Sequence, residues 1–84
     1  MPRALTAEWT RVPESGREVA LAQWSRRREH FGVHGCHYWV FASPDDPDTY
    51  LEFAEGRDPG ILGRARAAAG LPTSIPILTE VELP

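Results

Sequence analysis

The chain has 84 residues, a net charge of −3 and a single cysteine, Cys36. A chain of this length forms one domain, here residues 1–84, and buries only about 60% of its unfolded surface. The acidic balance argues against nucleic-acid binding, and no apolar run approaches the ~20 residues of a membrane span. The lone cysteine excludes an internal disulfide, and the start of the chain has no apolar signal segment, so we expect a cytoplasmic protein.

The start of the chain predicts a loose arm followed by a short strand. Residues 1–7 show no regular pattern and are expected to be flexible. Glu8–Val12 contains Trp9 and Thr10, residue types that favour strands, and Pro13 then ends the strand because it cannot donate a ladder hydrogen bond.

A helix is predicted from Ser15 to about Phe31. Ser15 and Glu18 have the spacing of a capping box, in which each side chain accepts from a free backbone N–H of the first turn. Apolar contacts are expected along one stripe: Ala20, Leu21, Trp24, Arg28 and Phe31. The remaining charged side chains are expected to face water: Arg26, Arg27 and Glu29. Gly32 is the expected residue that ends the helix.

The central stretch predicts a long β-hairpin. Residues 36–42 and 49–54 are rich in aromatic side chains, and they flank an acidic linker, residues 43–48, made of turn-forming residues. Alternation places Cys36, Tyr38 and Val40 on one face of the first strand. His37, Trp39 and Phe41 then lie on the opposite face. Both faces are bulky, so both are expected to be covered.

The last third of the chain predicts a helix and a strand. Asp58 before Pro59 is a typical helix start, and the helix is expected over Pro59–Ala69 with Gly70 ending it. Ile77–Leu83 alternates apolar and polar side chains, which predicts a final strand.

The resulting order, β-α-β-β-α-β, predicts an α+β domain of the ferredoxin-like type. Its four-stranded antiparallel sheet has both helices on one face. A single small chain lacks the material to cover the other face, and it has no internal disulfide to stabilise it. We therefore expect a homodimer in which two sheets pack face to face as a dimeric barrel.

Three segments resemble those of the dimeric α/β-barrel proteins, in particular the antibiotic-biosynthesis-monooxygenase-like branch. They are the helix end and strand entry His30-Phe31-Gly32-Val33-His34-Gly35-Cys36, the turn Ser43-Pro44-Asp45-Asp46-Pro47, and the strand Tyr50-Leu51-Glu52-Phe53-Ala54-Glu55-Gly56. The resemblance implies a homodimer with a cavity for a small aromatic or polyketide-like molecule. It also implies a cofactor-independent oxygenase or an isomerase or cyclase. The alternatives are a non-catalytic ligand-binding or accessory protein of the same fold, and, less favoured, a haem or metal binder.

The candidate site residues lie mostly in the hairpin. His37 and Glu52 are the candidate catalytic residues, as general acid or base. Glu52 would be oriented by Arg11 or His37. The candidate ligand-binding residues are Trp39, Tyr38, Arg11, Phe41 and Tyr50.

Metal-ligating residue types also cluster before and within the hairpin. They are His30, His34, Cys36 and His37. These residues fall on a helix end, a turn and both faces of a strand, so they are not expected to converge on one ion. No metal site is therefore predicted. No bound cofactor is expected either, with haem as the less favoured alternative.

Overall fold

A computed structural model describes residues 2–84 and contains one sheet and two main helices. The strands are β1 (Ala4–Arg11), β2 (His37–Ala42), β3 (Thr49–Gly56) and β4 (Leu78–Thr79). The helices are α1 (Arg17–Val33) and α2 (Pro59–Ala68), and a short 3-10 turn, Glu14–Gly16, precedes α1. The sheet has the order β2-β3-β1-β4 with antiparallel pairs, which confirms the ferredoxin-like α+β fold.

Both helices cover one face of the sheet. The core between the layers consists of Ala4, Ala20, Trp24, Phe31, Cys36, Tyr38, Ala54, Leu62 and Ala65. The ring of Phe31 on α1 stacks on Tyr38 of β2 with 5.2 Å between the ring centroids. At Gly56, an added Cβ would lie 3.2 Å from the Sγ of Cys36 and the Cβ of Leu62, so glycine permits the close approach of α2 to the sheet.

The prediction of a loose arm over residues 1–7 is wrong for the part that enters the sheet. β1 begins at Ala4 and not at Glu8, and Ala4 and Thr6 are fully buried. Met1 lies outside the described residues. The small side chains of Ala4 and Thr6 are buried under the helices, and backbone pairing with β3 and β4 stabilises this part of the strand on both sides.

Both predicted ends of α1 need correction. Gly16 is the N-cap, no side chain caps this end, and Ser15 lies in the preceding 3-10 turn. The helix continues through Gly32 to Val33 and ends where Gly35 adopts a φ of 72°. The N–H of Cys36 then donates to the carbonyl of Phe31 at 2.9 Å, which closes the helix end.

The start of α2 and the glycine that follows its last turn agree with the prediction from the sequence. The Asp58 carboxylate accepts from the N–H of Ile61 at 2.8 Å, and Gly70 has a φ of 72° directly after the last turn.

The final strand is much shorter than predicted. β4 is only Leu78–Thr79, and Val81 and Leu83 beyond it are exposed.

No helix within residues 2–84 is long and apolar enough to cross a membrane.

Candidate functional site

The sheet face opposite the helices is aromatic and uncovered. The strand registers place its side chains in rows that run across β2, β3 and β1. One row is Trp39, Phe53 and Ala7. The next row is Phe41, Leu51 and Trp9. Trp9 is 66% exposed and Phe41 53% exposed, so large apolar side chains of this face meet solvent.

Charged side chains border these apolar rows at both ends of the face. At one end, the Nδ1 of His37 lies 3.2 Å from one oxygen of Glu55, and Arg3 donates to the other oxygen at 3.0 Å. The hydrogen bond from Arg3 and that with His37 hold the pKa of Glu55 below its usual range. At the other end, Arg11 donates to Asp46 at 3.1 Å. The face thus has an apolar centre and a polar rim.

The free edge of β2 borders a groove of about 640 Å³. One wall is α1, with Leu21, Ser25 and Arg28, and the other is β2, with Trp39 and Phe41. The ring of His37 stacks on Trp39 with 5.4 Å between the ring centroids. This agrees with the prediction that both side chains lie on the same face of β2. The groove therefore presents flat aromatic surfaces next to an unpaired strand edge.

On the other side of the sheet, Glu52 is a carboxylate beneath α1. Only 8% of its surface is exposed. Its Oε1 accepts from the hydroxyl of Tyr38 and from the guanidinium of Arg27, each at 2.5 Å. Burial, reinforced by the neighbouring Glu52 carboxylate, raises the pKa of Tyr38 well above its usual value. These donors supply the hydrogen bonds that a buried charge needs.

The expectation that Arg27 faces water is wrong. Arg27 lies three residues after Trp24 and four before Phe31, so it projects from the buried side of α1. This spacing was visible in the sequence, but the neighbouring Arg26 and Arg28 obscured it. Leu21, which was expected in the buried stripe, is 54% exposed.

Arg66 is a second arginine on the helix side of the sheet whose burial was not predicted from the sequence. It is 3% exposed and donates to the carbonyl of Pro72 at 2.7 Å, which fixes the segment after α2 against β1. Its guanidinium also lies 3.6 Å from Glu8 of β1. An arginine in a helix of small residues gives no sequence signal of burial, because arginine is rarely buried.

The structure divides the predicted site residues between the two faces of the sheet. His37, Trp39, Phe41 and Arg11 lie on the open face, whereas Glu52, Tyr38 and Tyr50 lie on the helix face. Tyr50 packs on Trp24 with 5.1 Å between the ring centroids. Glu52 is oriented by Arg27 and Tyr38, and the expected orientation by Arg11 or His37 is not found.

The candidate metal residues remain scattered. Cys36 is buried, and burial raises the pKa of its thiol. The Nδ1 of His34 lies 3.1 Å from the carbonyl of His30 in the preceding turn. Among residues 2–84, no group of three or more His, Cys, Asp and Glu side chains is arranged to hold a metal ion. The expectation of a protein that works without a bound cofactor stays a prediction.

Comparison of the chain with family models and with curated proteins found no match. The ferredoxin-like fold is therefore established from the sheet order and the helix placement alone.

Proposed function

We propose that the protein is a homodimer that binds a small aromatic molecule and that its sheets pack face to face. The observation that supports this proposal best is the exposed aromatic centre of the sheet, with Trp9, Trp39 and Phe41 directed away from the helices. Antiparallel sheets can leave one face in water, but that face is then normally polar. This face is polar only at its ends.

The size of the open face suits a small dimer interface. With eight residues each, β1 and β3 are about 27 Å long, and β2 with six residues is about 20 Å long. At a spacing of roughly 4.8 Å, the three strands have a projected area of roughly 350 Å². The ~800 Å² that each partner buries in a standard interface is more than twice this projection, so the face suits an interface at the small end of the known range. An aromatic centre with a charged rim is also the usual anatomy of an interface.

A charge at the centre of this face tests the dimer. Phe53 lies between Trp39 and Ala7 in the central row, so Phe53→Asp is expected to halve the mass measured by light scattering. The matched control is Val19→Asp on α1, which replaces an exposed apolar side chain outside the sheet and should leave the mass unchanged. Circular dichroism confirms that both variants are folded. An unchanged mass for Phe53→Asp would overturn the dimer.

The groove beside β2 is the proposed ligand site. Its volume of about 640 Å³ lies within the ~300–1,000 Å³ of typical ligand pockets. Trp39, Phe41 and Tyr38 supply flat apolar walls, and Arg28 is the charged side chain at the α1 wall. Aromatic walls of this kind favour a planar, apolar ligand.

Binding is favoured over catalysis because the two candidate catalytic residues point away from each other. His37 stacks on Trp39 on the open face, whereas Glu52 contacts Arg27 beneath α1. These side chains cannot act on the same atom of one substrate. We therefore favour the non-catalytic ligand-binding function. The oxygenase, isomerase and haem-binding functions implied by the resemblance to the antibiotic-biosynthesis-monooxygenase-like branch stay predictions.

A fluorescence titration with 1-anilinonaphthalene-8-sulfonate as the probe tests the groove. We expect saturable binding to the wild type and at least roughly tenfold weaker binding to Trp39→Ala, which removes a wall. Trp9→Ala is the matched control, because Trp9 lies on the same face but outside the groove. Equal loss in both variants would contradict a site in the groove.

A further inference from the structure

The groove beside β2 differs in charge from the chain as a whole. Of the 84 residues, 12 are Asp or Glu, and the net charge is −3. Among residues 2–84, no acidic residue lines the groove, whereas Arg28 and His37 both do. His37 already has an acidic partner outside the groove, because its Nδ1 lies 3.2 Å from Glu55. The charge that the groove offers to a ligand is therefore that of Arg28.

Arg28 has no acidic partner within residues 2–84. The ion pairs in this part of the chain involve other arginines and His37. On a helix, the residues three and four positions away are the ones that can pair with a charged side chain. For Arg28 these positions are all uncharged: Trp24, Ser25, Phe31 and Gly32. The guanidinium is thus available to an anion from outside the chain.

The groove also offers space and a second donor beside Arg28. An added Cβ at Gly32 would meet no atom within 4 Å, so the surface of α1 one turn after Arg28 is open. The hydroxyl of Ser25, one turn before Arg28, is a donor on the same wall. The exposed rings of Trp39 and Phe41 form the opposite wall. A charged fork, a hydroxyl and flat apolar surfaces therefore border one open space.

We propose that the ligand of this groove is a planar aromatic carboxylate, with its rings on Trp39 and Phe41 and its carboxylate on Arg28. This inference rests on the ligand site proposed above and adds an anionic group to the ligand. A guanidinium matches the two oxygens of a carboxylate, and hydrogen bonds between charged groups are stronger than those between neutral groups. The volume of about 640 Å³ accommodates an acid of one to three rings.

The pair 2-naphthoate and 2-naphthalenemethanol tests the anionic group, because both probes carry the same rings and only the first is charged. Each is titrated into the wild-type protein, and the indole signals of Trp39 and Trp9 are followed by NMR. We expect 2-naphthoate to bind at least roughly tenfold more tightly and to shift the Trp39 signal. Equal affinities would overturn the inference and leave the groove as a ligand site. Binding of neither probe, or a shift at Trp9 in place of Trp39, would overturn both proposals.

Two arginine variants assign the preference to a side chain. Arg28→Gln is expected to weaken 2-naphthoate binding about tenfold and to leave 2-naphthalenemethanol binding unchanged. Arg26→Gln is the matched control, because Arg26 is exposed on the same helix and does not line the groove. Both variants remove one positive charge, so their comparison separates contact with Arg28 from the net charge of the protein. Unchanged 2-naphthoate binding to Arg28→Gln, or an equal loss in Arg26→Gln, would overturn the role of Arg28.

Discussion

The carboxylate of Glu52 is stable beneath α1 because two neighbouring elements supply its donors. Tyr38 comes from β2 and Arg27 from α1, so three elements meet at one oxygen. Burying a carboxylate without hydrogen-bond partners costs free energy, and these donors lower that cost. The contact also orients α1 over the sheet, which places Trp24 beside Tyr50.

Replacing Arg27 is expected to destabilise the fold far more than replacing its neighbour. Arg27→Ala leaves the carboxylate of Glu52 with one donor, at a cost of about 2 kcal/mol in the free energy of unfolding. Arg26→Ala is the control, since Arg26 is exposed and such changes stay within about 0.5 kcal/mol. Urea denaturation measures the free energy of unfolding of both variants. Equal losses would contradict the role of Arg27 as a hydrogen-bond donor to Glu52.

The raised pKa of Tyr38 predicts a loss of stability in alkali. Above the usual pKa of 10.0, the unfolded chain loses the Tyr38 proton while the folded chain keeps it. Unfolding therefore releases a proton, and stability falls by up to about 1.4 kcal/mol per pH unit as the pH rises. Tyr38→Phe should lack this slope, whereas Tyr50→Phe should retain it. If the stability of the wild type and of Tyr38→Phe falls with the same slope above pH 10 in denaturation experiments, Tyr38 does not cause the loss.

At the scale of the elements, local signals in the sequence predicted some helix ends and missed others. Asp58 followed by Pro59 has the cap that its residue types predict. Ser15 and Glu18 have equally good spacing, yet the 3-10 turn at Glu14–Gly16 takes Ser15 out of the capping position. The capping box is a pattern of residue types, and it does not specify the backbone that enters the helix.

A pair of alanine variants measures this difference between the helix starts. Asp58→Ala removes the side-chain acceptor of the Ile61 N–H and is expected to cost about 1 kcal/mol of stability. Ser15→Ala is expected to change stability by less than about 0.5 kcal/mol, because its hydroxyl caps nothing. Thermal denaturation gives both values. A larger loss in Ser15→Ala than in Asp58→Ala would contradict the caps described.

The fold was more predictable from the sequence than the candidate sites. Alternation along the hairpin separated Tyr38 from Trp39 correctly, because the period of a strand is fixed by its geometry. The same alternation places His37 and Glu52 on opposite faces once the register is known, but the register depends on tertiary pairing. The ionic contacts of Arg66 and Arg27 join distant segments of the chain. No local pattern specifies such contacts.

At the scale of the whole molecule, the sheet has one covered face and one aromatic face. The helices bury Ala4, Tyr38 and Ala54 on one side, while Trp9 and Phe41 remain exposed on the other. Within residues 2–84, both helices lie on the first side, and no further helix or strand covers the aromatic face. The proposed association with a second copy would add burial without adding length to the chain, and it would cover the aromatic centre with a surface of matching chemistry.

Sedimentation equilibrium of the wild-type protein at several micromolar concentrations tests the dimer most directly. The proposed sheet-to-sheet packing predicts a mass twice that of the 9.4 kDa chain, with dissociation only on dilution. A well-folded species of 9.4 kDa throughout this range would contradict it.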